Sequence, residues 1–397
     1  MEERRDIPRN PRRRSPLQIN RRLQGQLLSW LLVLLSFGFL ITGLVLKDKE
    51  FSEAENRGLT QFPKLTLSAV LDGSYLQDLG DYVADQFPAR NFWISVDLKM
   101  KQLLGQKEAS GVYLCDDYLI QIPAEPNWEQ AERNLAAVDS FSEKYPELNM
   151  VMSIVPNSVV INEKLLPANA PVRDQLEDLE WIDEQLEKVP FVDVTDALRD
   201  HDDEYLYYKT DHHWTSLAAK YAFYALAEPL NIRPIAEDQY TVMLVSNSFE
   251  GTLSSKSGSH ASLDSVEIWE PRTGVEYFVT YADTGEKISS LYRRSALNVK
   301  DHYTVFFGGN WSRLDVTTTA DTERALLIFK DSYANCMVQF LYPYFDHITI
   351  IDPRYYYDNI DLVIKSEGIT DVLFLYNADT FLGDTSLADV LTIEQSE

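Results

Sequence analysis

From Asn149 onward, short apolar runs alternate with longer amphipathic ones. The runs are Asn149 to Val155, Ala325 to Phe329, His347 to Ile351 and Asp371 to Tyr376. Helical patterns lie at Arg173 to Lys188, Ser216 to Ala227, Tyr333 to Tyr344 and Asn359 to Glu367. Apolar runs without a polar alternate side read as strands covered on both faces. Strand–helix alternation then predicts an α/β fold, a parallel sheet with helices on both faces. Residues 231–316 interrupt this rhythm. They are rich in Ser, Thr, Tyr and Gly, with runs such as Tyr277 to Tyr281 before the turn Asp283-Thr284-Gly285. They read as a β-rich insertion. Upstream, Thr66 to about Lys107 has helical spacing, Ser110 to Ile122 reads as a hairpin turning at Asp116-Asp117, and Asn127 to Lys144 reads as a helix.

The N-terminal region belongs to none of this. Leu27 to Leu46 is a run of 20 residues with no charge, and a helix needs about 20 to cross the hydrocarbon layer of a bilayer. Eight arginines precede it, so the positive-inside rule puts the N-terminus in the cytoplasm and the rest outside. Val45-Leu46-Lys47-Asp48 offers no small-x-small cleavage site. The expectation is a cytoplasmic Arg-rich tail (1–26), a single-pass transmembrane signal anchor (27–46), a stalk (47–65) and an extracellular domain (66–397).

The eight arginines against Glu2, Glu3 and Asp6 give the head a net charge of +5; the chain total of −26 leaves −31 for the rest. So acidic an exterior argues against nucleic acid as a partner. Cys115 and Cys336 both lie in apolar surroundings, so one disulfide and two buried thiols are both open.

Two stretches carry chemistry. Lys209-Thr210-Asp211-His212-His213-Trp214-Thr215 holds two of the six histidines, and Thr215 is a natural N-cap for the helix that follows. In extended backbone, residues two apart share a side. Asp211 can therefore hold His213 at Nδ1 and leave Nε2 free as a base, while His212 points away. The second stretch is Leu326 to Phe329 followed by Lys330-Asp331-Ser332-Tyr333-Ala334-Asn335. It places Ser332 where a strand gives way to a helix, at the edge where open α/β sheets bind ligands. The alternative for Ser332 is a plain N-cap, and for Asp211 and His213 a capped turn with a surface histidine. A metal reading of Asp211-His212-His213 lacks the H-x-x-x-H or paired-carboxylate spacing elsewhere in the chain, so neither metal nor cofactor is expected. For an oxyanion hole, the candidates are the backbone N–H of Ser332 or Tyr333, and Gly309 and Asn310 of Gly308-Gly309-Asn310; the other reading of that tripeptide is a hairpin turn.

Thr210-Asp211-His212-His213-Trp214 resembles the signature from which the DHHW protein family takes its name. Ala54-Glu55-Asn56-Arg57, Asp85-Gln86-Phe87-Pro88-Ala89-Arg90, Phe307-Gly308-Gly309-Asn310, Lys330 to Asn335 and Ile351-Asp352-Pro353-Arg354-Tyr355 look like that family in the same order. The family is similar in turn to the AlgX/AlgJ proteins of alginate O-acetylation, with an SGNH-hydrolase-like domain of permuted chain order. That resemblance implies that Asp211 and His213 match its Asp-x-His pair and Ser332 its nucleophile. Lys330 is a departure, standing where a glycine precedes Asp-Ser.

The resemblance implies a membrane-anchored extracellular serine O-acetyltransferase or acetylesterase acting on a surface polysaccharide, with Trp214, Trp311 and Tyr355 as substrate-contact candidates. A membrane-bound O-acyltransferase is implied as acetyl donor. The rival readings are a non-catalytic polysaccharide-binding or assembly factor that keeps the fold, and a metal-dependent phosphoesterase.

Overall fold

The computed structural model describes residues 16–52, 54–55 and 57–392. Most of the Arg-rich tail lies outside the described residues, as does Asn56.

The chain divides into two compact units. The first comprises the described residues up to Ser52 and Arg57–Ile94; the second comprises residues 54–55 and everything described from Ser95 onward. In the first unit, α1 spans Pro16–Val45. Its stretch Leu23–Gly43, 21 residues long, is long and apolar enough to cross a membrane and is not buried against the protein. It begins four residues earlier than the sequence reading and is consistent with a single anchor. The expected helical region 66–107 is three helices, α2 (Leu67–Leu71) and α3 (Ser74–Asp85) in this unit, and α4 (Arg90–Leu103), of which residues from Ser95 on belong to the second unit. Gly73, with φ 84, separates the first two. Arg57 clamps Asp85 with two bonds, of 3.0 and 2.6 Å, and Thr60 N donates to Asp85 at 2.8 Å. The Arg57 guanidinium holds the Asp85 carboxyl well below its usual range.

In the second unit, β1 (Val112–Cys115) and β2 (Tyr118–Gln121) form the expected hairpin. Then follow α5 (Trp128–Lys144), β3 (Asn149–Val155), α6 (Gln175–Gln185) and α7 (Ser216–Ala227). Thr215 caps α7, accepting from Ala218 N. Next come a two-stranded ribbon, β4 (Tyr240–Phe249) with β5 (Asp264–Pro271), and between these strands α8 (Thr252–Ser257). The last strands are β6 (Tyr277–Tyr281), β7 (Glu286–Ile288), β8 (Arg313–Thr318), β9 (Ala325–Lys330), β10 (His347–Ile351) and β11 (Asp371–Asn377).

The main sheet runs β7-β6-β8-β10-β9-β11-β3. Strands β10, β9, β11 and β3 pair parallel, while β8, β6 and β7 add on antiparallel. The fold is thus α/β with a mixed sheet, not the wholly parallel one expected. The difference lies in 231–316, whose later part supplies the antiparallel strands that extend the sheet. Residues 313–316 alternate polar with apolar side chains, as antiparallel strands with one wetter face do, and so the segment reads as local hairpins.

Period-two side-chain direction divides the core. Leu326 and Ile328 of β9 face one apolar cluster, with Val151, Leu373 and Ile350. Leu327 and Phe329 face the other, with Met152, Phe374 and Ile351. Both faces are covered by chain, which is why β9 is fully buried.

Candidate active site

The carboxyl ends of the parallel strands gather the candidate residues. Beyond β9, Asp331 is N-cap of a 3-10 turn, Ser332–Cys336. The expected helix Tyr333 to Tyr344 is broken into this turn, a short α-helix Val338–Leu341, and a second 3-10 turn that includes Pro343. Pro343 cannot donate to a continuing helix. Asp331 also ties the turn down: Oδ1 accepts from Tyr333 N at 2.8 Å and Oδ2 from Asn377 N at 2.9 Å. Ser332 is therefore presented by a tight turn, with no long helix dipole behind it.

His213 meets this serine. His213 Nε2 lies 2.7 Å from Ser332 Oγ, and His213 Nδ1 lies 2.5 Å from Asp211 Oδ1. A carboxylate only accepts, so Nδ1 carries the hydrogen and Nε2 is left to accept from the serine hydroxyl. The His213 ring stacks on Tyr303 at 3.7 Å between centroids, and Tyr303 OH donates to Ser332 O at 2.8 Å. Asp211 and His213 are buried, while Ser332 is partly exposed. A hydroxyl with an oriented imidazole beside it can lose its proton as it attacks a carbonyl carbon.

Asp211 is held from four directions. Oδ1 also takes His213 N at 3.0 Å; Oδ2 takes Thr252 N at 2.7 Å and Thr252 Oγ1 at 2.9 Å. Burial alone would raise its pKa. The charges of His212 and His213, with bonds from His213 and Thr252, outweigh that and hold it well below the carboxylate range. His212 Nδ1 meets Thr252 Oγ1 at 2.7 Å. Burial, then the neighbouring His213, pushes His212 down to about 4. Thr210, just before the motif, is fixed by Asp264, which accepts from its backbone N–H at 2.8 Å and its hydroxyl at 2.5 Å.

Asp211, His212 and His213 each bring one possible ligand atom within 4.8 Å of the others. Asp211 Oδ1 and Oδ2 and both Nδ1 atoms already serve these hydrogen bonds.

The remaining candidates fall differently. Trp214 is 0 % exposed, and its Nε1 donates to Tyr333 O at 2.9 Å. It is a strut between the two site segments, which removes it as a sugar platform. Tyr333 N–H is spent on Asp331, which removes it as an oxyanion donor. Trp311 packs edge-on against Tyr281 at 4.9 Å and donates to Phe307 O at 3.1 Å. Tyr355 is half exposed, with the Arg354 guanidinium 5.5 Å from its ring centre. Phe307, Gly308 and Gly309 all have positive φ, of 60, 81 and 114°. This strained arch, rather than a hairpin turn, delivers Asn310. Asn310 Oδ1 accepts from Lys330 Nζ at 2.8 Å and Asn335 Nδ2 at 3.1 Å.

Sequence reasoning missed Thr252, Tyr303, Asp264 and Gly251. All lie in the segment read as an insertion. Glu250-Gly251-Thr252 before a short helix was the available signal.

Among solved structures, a DHHW family protein from Eubacterium siraeum is similar at 24% identity and TM-score 0.63, over 72% of this chain and 95% of that one. Bacillus cereus PatB1 is similar at 20% identity and TM-score 0.58, over 69% and 98%. The O-acetyltransferase domain of Pseudomonas putida AlgJ aligns at 13% identity and TM-score 0.45, over 70% and 95%. No curated protein matches the sequence. The family model described as DHHW protein matches residues 184–351, and this segment, which is similar to that family, holds Asp211, His213 and Ser332.

Proposed function

We propose that this chain is a serine-dependent O-acetyltransferase or acetylesterase acting on a cell-surface polysaccharide. The observation that carries the reading is the 2.7 Å contact of His213 Nε2 with Ser332 Oγ, with Asp211 on the other ring nitrogen. In this reading Ser332 Oγ attacks an acetyl carbonyl carbon while His213 Nε2 takes its proton. The imidazolium gives that proton to the leaving oxygen, and an acetyl-serine remains. A sugar hydroxyl or water then loses its proton to His213, attacks the acetyl carbon and restores the serine. Asp211 holds the tautomer and offsets the imidazolium charge.

The chain's setting belongs to the same proposal. The Arg-rich tail (1–26) lies in the cytoplasm, residues 27–46 anchor the protein, 47–65 form a stalk, and 66–397 work outside the cell. A membrane-bound O-acyltransferase supplies the acetyl group. Tyr355, half exposed, is the aromatic left to meet a sugar ring.

The test is labelling with a sulfonyl fluoride, since PatB1 has been solved with a sulfonyl adduct. Modification at Ser332, with loss of acetyl-ester turnover in Ser332→Ala, is the expected result. Turnover at the wild-type rate in Ser332→Ala overturns the reading. Intact sugar binding by a protein that neither labels nor turns over favours a binding factor instead.

A further inference from the structure

A lysine buried at the end of a parallel strand is expensive unless its ammonium is paired. Lys330 is 0 % exposed. Its Nζ lies 3.4 Å from Asp352 Oδ2, but Asp352 already has a cation: Arg354 grips it with bonds of 2.8 and 2.6 Å. The shorter of the two contacts of Lys330 Nζ is the one with Asn310 Oδ1, at 2.8 Å.

That contact orients the amide. An ammonium has only donors, so the Asn310 atom facing it is the carbonyl oxygen. Asn335 Nδ2 donates to the same oxygen at 3.1 Å. Lys330 stands two residues before Ser332 and Asn335 three after it, so the carboxamide is held from both sides of the serine turn. With Oδ1 taken by these two donors, the NH2 group is the half of the carboxamide left for a ligand; Asn310 is exposed and directly follows the arch of positive φ from Phe307 to Gly309. Tyr333 N–H is spent on Asp331, so a developing oxyanion at Ser332 needs a donor besides the serine's own N–H.

Resting on the acyl-transfer reading above, we propose that Lys330 is a positioning residue that locks the Asn310 carboxamide so that Nδ2–H is offered to the oxyanion formed at Ser332. The lysine that departs from the glycine of related motifs then serves the chemistry through Asn310.

The experiment uses the full chain and an acetyl ester. Lys330→Met keeps the length of the side chain and leaves Asp352 paired to Arg354. It is expected to lower kcat about 100-fold, the scale of one lost oxyanion donor, with KM within about twofold. In an Asn310→Ala background, Lys330→Met should lower kcat no further. Asn310→Asp keeps an oxygen for Lys330 at an exposed position, so it tests the orientation even if Lys330→Met does not fold. It puts a carboxylate oxygen where Nδ2 was and should lower kcat at least as far as Asn310→Ala. Wild-type kcat in Asn310→Asp, or independent losses in the double variant, overturns the inference. If Ser332→Ala is inactive while Lys330→Met is fully active, this inference fails and the acyl-transfer reading stands. Full activity of Ser332→Ala overturns both.

Discussion

Gly251 lies so close to Asp211 that a Cβ on it would sit 2.3 Å from Asp211 Cβ and 2.5 Å from Asp211 Oδ2. Its φ is −84°, an ordinary value, so space rather than backbone freedom demands glycine here. Gly251 N also donates to Thr210 Oγ1 at 2.9 Å. The carboxylate is thereby walled in on the side away from His213.

Gly251→Ala should displace Asp211 or the start of α8. Overpacking of this kind costs about 1–3 kcal/mol, and a misplaced carboxylate lowers kcat by roughly 100-fold or more. Thermal unfolding and acetyl-ester turnover measure the two effects. A variant with wild-type turnover would show that Asp211 tolerates movement.

Asp211→Asn keeps the shape and alters the hydrogen. An amide nitrogen facing Nδ1 favours the tautomer with Nε2 protonated, which cannot take the Ser332 proton. Turnover is expected to fall about 10⁴-fold with the fold retained. Circular dichroism together with kinetics checks both halves; a loss under tenfold speaks against the assigned tautomer.

His212 gives a pH dependence. Its pKa is pushed down from 6.5 to about 4 in the folded protein, so the unfolded chain binds the proton more readily between those values. Stability is therefore complete above about 6.5 and falls as pH drops toward 4. His212→Gln should flatten the melting temperature against pH across this window. An unchanged slope would assign the loss to other groups.

Cys115 and Cys336 are both buried and unpaired. Burial pushes their thiols up to about 11 and about 12, so few thiolates exist at neutral pH. A thiol reagent should react with neither in the native protein and with both after denaturation. Fast labelling of either in the native state would contradict this burial.

Where the chain could be read, one local signal decided each element. Ala325 to Lys330 is apolar to its last residue but one, and it is the buried strand. Thr215 before Ser216 marked a helix start and is one. The mixed sheet was hidden because Tyr277 to Tyr281 and Arg313 to Thr318 pair across the fold, with a register that nothing nearby records. The helix expected after Ser332 failed because propensity says nothing of Asp331 reaching Tyr333 N. Gly251 and Lys330 were opaque for a common reason. Each owes its place to one partner, 40 residues from it for Gly251 and 20 for Lys330, and spacing alone cannot reveal which.

The span between His213 and Ser332 is 119 residues, and several supports of the pair are drawn from it. Thr252, Tyr303 and Asn310 come from chain made after the histidine and before the serine. A contact between residues so far apart along the chain has a large loop-closure cost, which slows its formation. A nascent or partly refolded chain therefore holds a histidine and a serine but no working pair. If Ser332 labels as proposed, its labelling during refolding is expected to lag behind the far-ultraviolet signal of the helices.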